Sequence, residues 1–271
     1  METLHLITLA IVQGIAEFLP ISSSAHLVLV PKLLGWPDQG LVFDLALHFG
    51  TLGACLWYFR ADVAAMFGGL FSLAQGRYRA ENARLVLNLA VATIPVGLVG
   101  LMVKDMIENQ MRDALLIAFT SIWFGVLLWY ADVLARRTPD TIKTIHDISL
   151  GTALVWGIYQ AVALIPGVSR SGICVIGGRA LGATREIAGR FGSLMSIPVT
   201  ALVVLVSFGN INASLNWHNA FSTLALGTVV SFVFALIGID LLVRWGSRVG
   251  YLPFALYRIA LGFVLIAYTF L

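Results

Sequence analysis

Charged side chains are scarce in this sequence. Asp, Glu, Lys and Arg account for 11% of its 271 residues, whereas hydrophobic residues account for 59%. A water-soluble domain carries about 25% charged residues, because its whole surface faces water. The mean hydropathy of +0.91 shows the same bias. The composition therefore excludes an ordinary soluble domain and predicts an integral membrane protein, whose outer surface is apolar because it faces lipid.

Basic residues and cysteines are also few. The sequence has 17 Lys and Arg residues and a formal net charge of +3, too few for a surface that must neutralise a row of nucleic-acid phosphates. We therefore expect no nucleic-acid partner and assign the cations to cytoplasmic loops. The two cysteines, Cys55 and Cys174, lie in apolar surroundings and predict buried thiols rather than a disulfide. No cysteine–histidine spacing indicates zinc.

Long apolar runs are what the sequence has in abundance. A helix needs about 20 apolar residues to cross a bilayer. Six stretches approach or exceed this length and predict transmembrane helices: 41–59, 83–103, 113–131, 186–208, 219–243 and 250–271. The shorter apolar stretch 63–74 predicts a helix at the membrane interface.

Two further apolar regions, 1–35 and 149–184, are long enough to span but are broken in the middle. The breaks lie at 20–24 (Pro-Ile-Ser-Ser-Ser) and 166–172 (Pro-Gly-Val-Ser-Arg-Ser-Gly). Proline removes a backbone donor, and glycine and serine interrupt a helix. Because non-helical backbone at membrane depth is tolerated only inside protein or beside a water-filled cavity, we predict two re-entrant helical hairpins.

The basic loops indicate the topology. Loops 60–82, 132–148 and 244–249 carry an excess of arginine and lysine, so the positive-inside rule places them in the cytoplasm. With all three loops on the cytoplasmic side, we predict that neither broken region crosses the membrane. Each would then return to the side it entered from, which is the outside for the first region and the inside for the second. The predicted fold is an all-α polytopic membrane protein, a single integral membrane domain over 1–271 with six transmembrane helices and two re-entrant hairpins arranged as an inverted repeat.

The repeat also leaves traces in the sequence. The segment 13–24 echoes the segment 160–171, since each begins with Gln and ends in a Pro- and Ser-containing break. Downstream, His48-Phe-Gly-Thr-Leu resembles Arg190-Phe-Gly-Ser-Leu in the same order. The predicted repeat halves are approximately 1–131 and 149–271.

Polar side chains surround the first break. Gln13 and Glu17 lie one turn apart on a helix and share a face. In one interpretation Glu17 pairs locally and the serines only satisfy helix ends. An ionisable group at bilayer depth is costly, however, and so indicates function. The candidate residues are Gln13, Glu17, Ser22, Ser23, Ser24 and His26.

The second break predicts a phosphate cradle. Arg170 keeps its charge in an apolar hairpin and therefore requires an anion. Ser169 and Ser171 flank it with hydroxyls, and Gly172 lets the backbone approach a ligand closely. A helix beginning near Ser171 would direct unpaired N–H groups at the same point. The alternative is a structural ion pair between Arg170 and Glu17, and the two interpretations are compatible.

These residues resemble those of the bacterial undecaprenyl-diphosphate phosphatases, the bacitracin-resistance family. The resemblance covers nearly the whole chain and is most specific over 13–26, 43–60 and 166–172. One departure is Cys174, which stands where the family's second motif has Thr and so lacks that hydroxyl.

The resemblance implies hydrolysis of undecaprenyl diphosphate, a C55 isoprenoid lipid, to undecaprenyl phosphate and inorganic phosphate. This reaction recycles the lipid carrier of peptidoglycan synthesis and confers bacitracin resistance. The resemblance also implies dependence on a divalent metal, Mg²⁺ or Ca²⁺, and a site in the bacterial inner membrane that opens toward the periplasm. A homodimer is an open alternative to a monomer.

The residue types then suggest roles. Arg170, with hydroxyls and hairpin amides, would hold the diphosphate and stabilise charge on the transferring phosphoryl group. Glu17 with Gln13 would bind the metal. His26 would be the general base or the nucleophile, and Ser23 is the rival nucleophile with His26 as its base. The other substrate-binding candidates are Ser22, Ser24, Ser169, Ser171, Gly172, Cys174 and His48, although His48 also fits a satisfied interior histidine.

A function of another class is a transporter or flippase of a phosphorylated lipid or anion, which an inverted repeat favours. Such a protein needs Arg170 to bind the anion. It has less need of a carboxylate, a histidine and a serine that converge on that anion.

Overall fold

Helices make up almost all of the chain. The computed structural model describes residues 3–110, 113–209 and 217–270, and within these ranges it contains no β-strand. The predicted all-α fold is confirmed. The twelve α-helices of the described residues are α1 Thr3–Phe18, α2 Ser23–Leu34, α3 Leu41–Tyr58, α4 Arg60–Ala74, α5 Glu81–Gln110, α6 Ala114–Ala135, α7 Leu150–Ala161, α8 Arg170–Ala180, α9 Arg185–Gly209, α10 Trp217–Asp240, α11 Gly246–Val249 and α12 Leu252–Phe270.

Five helical segments are long and apolar enough to cross a membrane, so the protein is a multi-pass membrane protein. The segments are Glu81–Val103, Ala114–Ala135, Arg185–Val206, Phe221–Val249 and Leu252–Phe270. They match five of the six predicted spans. The fourth continues from α10 into α11 through a π-helical turn, Leu241–Trp245.

The remaining predicted span, 41–59, corresponds to α3. This helix qualifies as a span only together with α4, and the two are bent by 83° at Phe59. The predicted interfacial helix over 63–74 is present as α4, although it begins three residues earlier, at Arg60. Its position at a membrane interface stays a prediction.

Both broken regions are interrupted where the sequence predicts. α1 ends at Phe18 and α2 begins at Ser23, whereas α7 continues as a 3₁₀ turn, Val162–Leu164, before α8 begins at Arg170. Ser22 and Ser169, which precede α2 and α8, both have φ of 70°. A residue with a Cβ rarely adopts this left-handed conformation. Such a conformation persists only where the surrounding structure imposes it, and it is common at functional sites. The re-entrant course of the two regions stays a prediction.

The helices of the two sequence halves pack on one another. α1 packs on α10, and α7 packs on α5, so each broken region lies against a long helix of the other half. Both contacts are close: a Cβ at Gly14 would lie 2.7 Å from the Ser231 carbonyl oxygen, and one at Gly157 would overlap the Ala92 carbonyl. α6 lies along α12. Packing between the two halves is compatible with an inverted repeat, and the repeat itself stays a prediction.

Candidate active site

The two breaks meet at a cavity of about 240 Å³. One part of its lining is polar and comes from both breaks and from α3. The other part is mostly apolar and comes from the segment between α7 and α8 and from α9. The polar lining consists of Glu17, Ser22, Ser23, Ser24, His48, Ser169 and Arg170, and the rest consists of Ala163, Leu164, Ile165, Pro166, Gly167, Val199, Thr200 and Val203. A cavity with this division suits a ligand with a charged head and an apolar tail.

An ion pair joins the two breaks. Arg170 donates to Glu17 Oε1 at 2.7 Å across a sequence separation of 153 residues. The side chains are 16% and 9% exposed, so both charges are largely removed from water. The ion pair that the sequence allowed is therefore present. Among the residues that the structure describes, Arg170 donates to Glu17 alone, which leaves most of its five N–H donors for a ligand.

The other carboxylate oxygen of Glu17 accepts two more hydrogen bonds. Ser23 Oγ donates to Oε2 at 2.8 Å, and Gln13 Nε2 donates to it at 2.9 Å. His48 Nε2 lies 3.9 Å from the same oxygen. Since Glu17 accepts the Ser23 proton in a hydrogen bond, it is placed to accept that proton in a reaction as well.

His26 does not lie with these residues. Its side chain is buried and does not line this cavity. Nδ1 lies 2.8 Å from the Ser22 carbonyl oxygen, and Nε2 lies 2.6 Å from the hydroxyl of Tyr257. The structure thus brings Glu17, Ser23 and Arg170 together with His48 rather than with His26. The catalytic role of His26 stays a prediction.

Ser169 caps the helix that begins at the second break. Its hydroxyl accepts the Gly172 N–H at 3.2 Å, so α8 begins beside the cavity as the sequence predicts. Ser171 instead donates to the Leu19 carbonyl at 2.8 Å and ties the second break to the first.

Cys174 is directed away from the cavity. It is buried, its thiol lies 3.7 Å from Gln160 Oε1, and both cysteines are free, as predicted. Gly172, Ser171 and Cys174 do not line the cavity, and their predicted contacts with substrate stay predictions.

Two consecutive residues of α12 that the sequence analysis did not single out support both breaks. Tyr257 contacts His26, as described above. Arg258 is fully buried and donates to the carbonyls of Val168 at 2.8 Å and Gly167 at 2.9 Å. Arg258 could have been found from the sequence, because it is a charged residue within the apolar stretch 250–271. A charged side chain in apolar surroundings is the same feature that identified Arg170.

The first break can also be tested for its fit to a metal ion. Gln13 Oε1 is buried and has no hydrogen-bond partner within the described residues, which suits a cation ligand. This oxygen belongs to the same side-chain amide whose Nε2 donates to Glu17. The described part of the chain has no cluster of three His, Cys, Asp or Glu residues, so a metal here would take further ligands from water and substrate. The residues fit a magnesium or calcium ion held in this way.

A second cavity, of about 360 Å³, adjoins the first. The two share Ser23, Ser24 and His48, so they meet beside the Glu17 carboxylate. The second cavity is lined further by a mixture of charged, aromatic and apolar side chains: Leu27, Val28, Pro31, Lys32, Trp36, Asp38, Gln39 and Asp44.

Comparison with known proteins agrees with this site. The family model described as bacitracin resistance protein BacA matches residues 6–264. The undecaprenyl-diphosphatase 2 of Stutzerimonas stutzeri is 45% identical over 269 residues, which cover 98% of both chains. The undecaprenyl-diphosphatase of Magnetococcus marinus is 46% identical over 98% of this chain and 99% of its own. That of Campylobacter concisus is 44% identical over the whole of both chains. The chain belongs to the bacitracin resistance protein BacA family.

Proposed function

We propose that this protein hydrolyses undecaprenyl diphosphate to undecaprenyl phosphate and inorganic phosphate. The relatives that carry this activity in their names match it along 98–100% of their length. The observation that carries the proposal is the buried Glu17–Arg170 pair at a cavity that is polar at one side and apolar at the other. The reaction would recycle the lipid carrier of peptidoglycan and other envelope polymers and confer bacitracin resistance.

Arg170 is the principal group for the diphosphate. Its planar fork can hold two phosphate oxygens at once, and it stays charged in an apolar site. The N-terminus of α8 adds N–H groups and the positive end of the helix dipole at the same place. The isoprenoid chain would leave the site along the apolar wall formed by Leu164, Val199 and Val203.

Ser23 is the nucleophile that the geometry favours. Its Oγ would attack the terminal phosphorus, the bond from that phosphorus to the bridging oxygen would break, and undecaprenyl phosphate would leave with the bonding electrons. The Ser23 proton would pass to Glu17 over the existing 2.8 Å hydrogen bond. Water would then cleave the phosphoserine ester, release inorganic phosphate and restore the Ser23 hydroxyl. His26 remains the alternative nucleophile, but its ring would first have to leave Tyr257.

We also propose that Gln13 Oε1 and Glu17 bind Mg²⁺ or Ca²⁺. Phosphate oxygens and water would complete the ligand set, since such ions are commonly held by one or two carboxylates together with substrate. When bound, the ion would offset negative charge on the diphosphate. The protein residues would keep their own roles: Arg170 orients the phosphates, and Glu17 holds the Ser23 proton.

The transporter alternative has no support from the comparisons. Its only motivation is the predicted repeat, which many transporters share. A carrier would also have no use for a serine hydroxyl hydrogen-bonded to a buried carboxylate at the anion site.

The bacterial inner membrane is the proposed location, with the site open toward the periplasm. The support is the arginine- and lysine-rich loops 60–82, 132–148 and 244–249, which belong on the cytoplasmic side. The connection 209–218 is expected on the opposite side, and its residues 210–216 lie outside the described residues. A homodimer stays a prediction.

Purified protein in detergent should release inorganic phosphate from undecaprenyl diphosphate at a rate proportional to its concentration. The same protein in sealed vesicles should convert externally added substrate without accumulating intact diphosphate inside. Transfer of intact diphosphate across the vesicle membrane with no phosphate release would instead establish the transporter.

Glu17→Gln is expected to reduce activity about a hundredfold at low metal and to recover in part as Mg²⁺ or Ca²⁺ is raised. The amide keeps one oxygen ligand but loses the charge that attracts the cation. Gln13→Leu is the matched variant, because it removes the other proposed ligand and leaves Glu17 intact. Metal titrations of phosphate release for both variants test this. A Glu17→Gln loss that stays constant up to saturating metal would limit Glu17 to accepting the Ser23 proton.

A further inference from the structure

The ring of His26 is held at both of its nitrogens. Nδ1 lies 2.8 Å from the Ser22 carbonyl oxygen, which can only accept, so Nδ1 carries the ring proton. Nε2 therefore presents a lone pair, and the Tyr257 hydroxyl donates to it at 2.6 Å. The two rings are parallel within 2°, with centroids 5.6 Å apart. The Ser22 carbonyl thus fixes His26 as the Nδ1–H tautomer, and Tyr257, 231 positions away, holds the ring at its other nitrogen.

Ser22 is the residue that this tautomer holds. Its φ of 70° is rare for a residue with a Cβ and persists only when neighbours impose it. Both hydrogen bonds that its carbonyl oxygen accepts come from His26, at 2.8 Å from Nδ1 and 3.4 Å from the backbone N–H. The next residue is Ser23, so the backbone conformation of Ser22 sets the direction of the Ser23 hydroxyl toward Glu17.

We propose that Tyr257 is a positioning residue for the hydrolysis. Its hydroxyl holds the His26 ring in the orientation in which Nδ1–H donates to the Ser22 carbonyl, His26 keeps Ser22 in its left-handed conformation, and Ser22 directs Ser23 Oγ to the Glu17 carboxylate and the phosphorus. The inference rests on the proposed function for its effect on turnover. The hydrogen bonds of the His26 ring exist without substrate and can be measured independently.

The hydroxyl of Tyr257 matters because the Ser22 carbonyl alone does not fix the direction of the ring. Without the donor at Nε2, the ring can turn about its side-chain torsions and Nδ1–H can leave the Ser22 carbonyl oxygen. Ser22 would then lose the contact that holds it, and Ser23 would sample directions away from Glu17.

The position of Tyr257 allows this to be tested cleanly. The side chain is 45% exposed, so Tyr257→Phe removes the donor while the ring stays in place and no internal cavity forms. The neighbouring Arg258 holds the carbonyls of the second break, and it is unchanged in the variant. Tyr268 provides a control on the same helix, because its hydroxyl donates to the Lys32 carbonyl at 3.2 Å, away from His26.

Tyr257→Phe is expected to lower kcat about five- to tenfold, the effect of one lost hydrogen bond, and to change KM by less than about twofold. The anion-binding groups are untouched, which is why binding should be preserved. Tyr268→Phe should keep the parent values. Steady-state phosphate release from undecaprenyl diphosphate measures both variants.

Two further measurements separate positioning from a general structural effect. In ¹⁵N-histidine spectra of substrate-free protein in detergent, His26 should show a protonated Nδ1 in both proteins, and this proton should exchange with solvent faster in Tyr257→Phe than in the parent. The His26 signals are identified by their loss in His26→Ala. In the His26→Ala background, adding Tyr257→Phe should cost no further activity, because Tyr257 acts only through that ring.

An unchanged exchange rate of the His26 Nδ1 proton in Tyr257→Phe would overturn the proposal, as would a rise in KM at constant kcat. Losses that add fully in the double variant would overturn it too. Failure of the parent protein to hydrolyse undecaprenyl diphosphate would defeat the proposed function instead, and the spectra would still report the hydrogen bonds of His26.

Discussion

Arg170→Lys is expected to reduce turnover about a hundredfold although the positive charge is kept, and Arg170→Ala about a thousandfold or more. Lysine offers a compact ammonium in place of a planar fork, so it cannot hold two phosphate oxygens in fixed directions. The fork contributes most when charge spreads over the oxygens of the transferring phosphoryl group. The loss should therefore fall on kcat as well as on KM.

The Glu17–Arg170 pair complicates Arg170→Ala, because the substitution leaves a buried carboxylate without its counter-ion. An unpaired buried charge costs about 3–5 kcal/mol of stability. Thermal unfolding in detergent must therefore accompany the kinetics. Arg170→Lys avoids this problem since the ammonium can still pair with Glu17, and it is the decisive variant.

A matched control for Arg170→Lys is Arg244→Lys. Arg244 is 71% exposed and pairs with Asp240 at 3.0 Å, remote from the breaks. This variant should keep parent activity, since an exposed pair contributes about 0–1 kcal/mol. If Arg170→Lys also hydrolysed substrate at the parent rate, Arg170 would supply charge alone and the proposed bidentate contact would be wrong.

Apolar run length was enough to predict most of the fold. Five predicted spans appear as helices within a few residues of their expected limits, and both breaks fall at the proline- and serine-containing segments. The sharp bend between α3 and α4 was not predictable, because residues 56–63 contain neither proline nor glycine. It is a tertiary feature, and α4 packs on α5, with Gly69 against the Asn82 carbonyl.

The sequence could predict which charged residues of the site pair with each other, but not the direction in which each side chain points. A carboxylate and an arginine in apolar surroundings had to find each other, and Glu17 and Arg170 do. His26 could have faced the cavity or turned from it, depending on the backbone of Ser22. The ring of His26 is hydrogen-bonded to Tyr257, 231 positions away, and local sequence patterns do not contain such a contact.

Ser23→Ala is expected to abolish hydrolysis, with a loss of about 10⁴-fold or more, while lipid-diphosphate binding persists. The reason is that Ser23 Oγ alone among the candidate nucleophiles lines the cavity and donates to a carboxylate. His26→Ala should also bind substrate, because Arg170 and the α8 amides remain. Its hydrolysis should fall about a hundredfold, because Ser22 and Ser23 lose their support.

The order of these two losses identifies the nucleophile. Clear residual turnover in Ser23→Ala, together with complete loss in His26→Ala, would make the His26 ring the nucleophile. A parent rate of phosphate release by His26→Ala would remove His26 from the mechanism altogether.

The covalent intermediate gives an independent answer when protein is quenched during turnover of substrate labelled in its terminal phosphate. Phosphoserine survives acid and is cleaved by alkali, whereas phosphohistidine survives alkali and is cleaved by acid. We expect the acid-stable label, and we expect Ser23→Ala to lack it, because the hydroxyl that contacts Glu17 is the group that takes the phosphoryl.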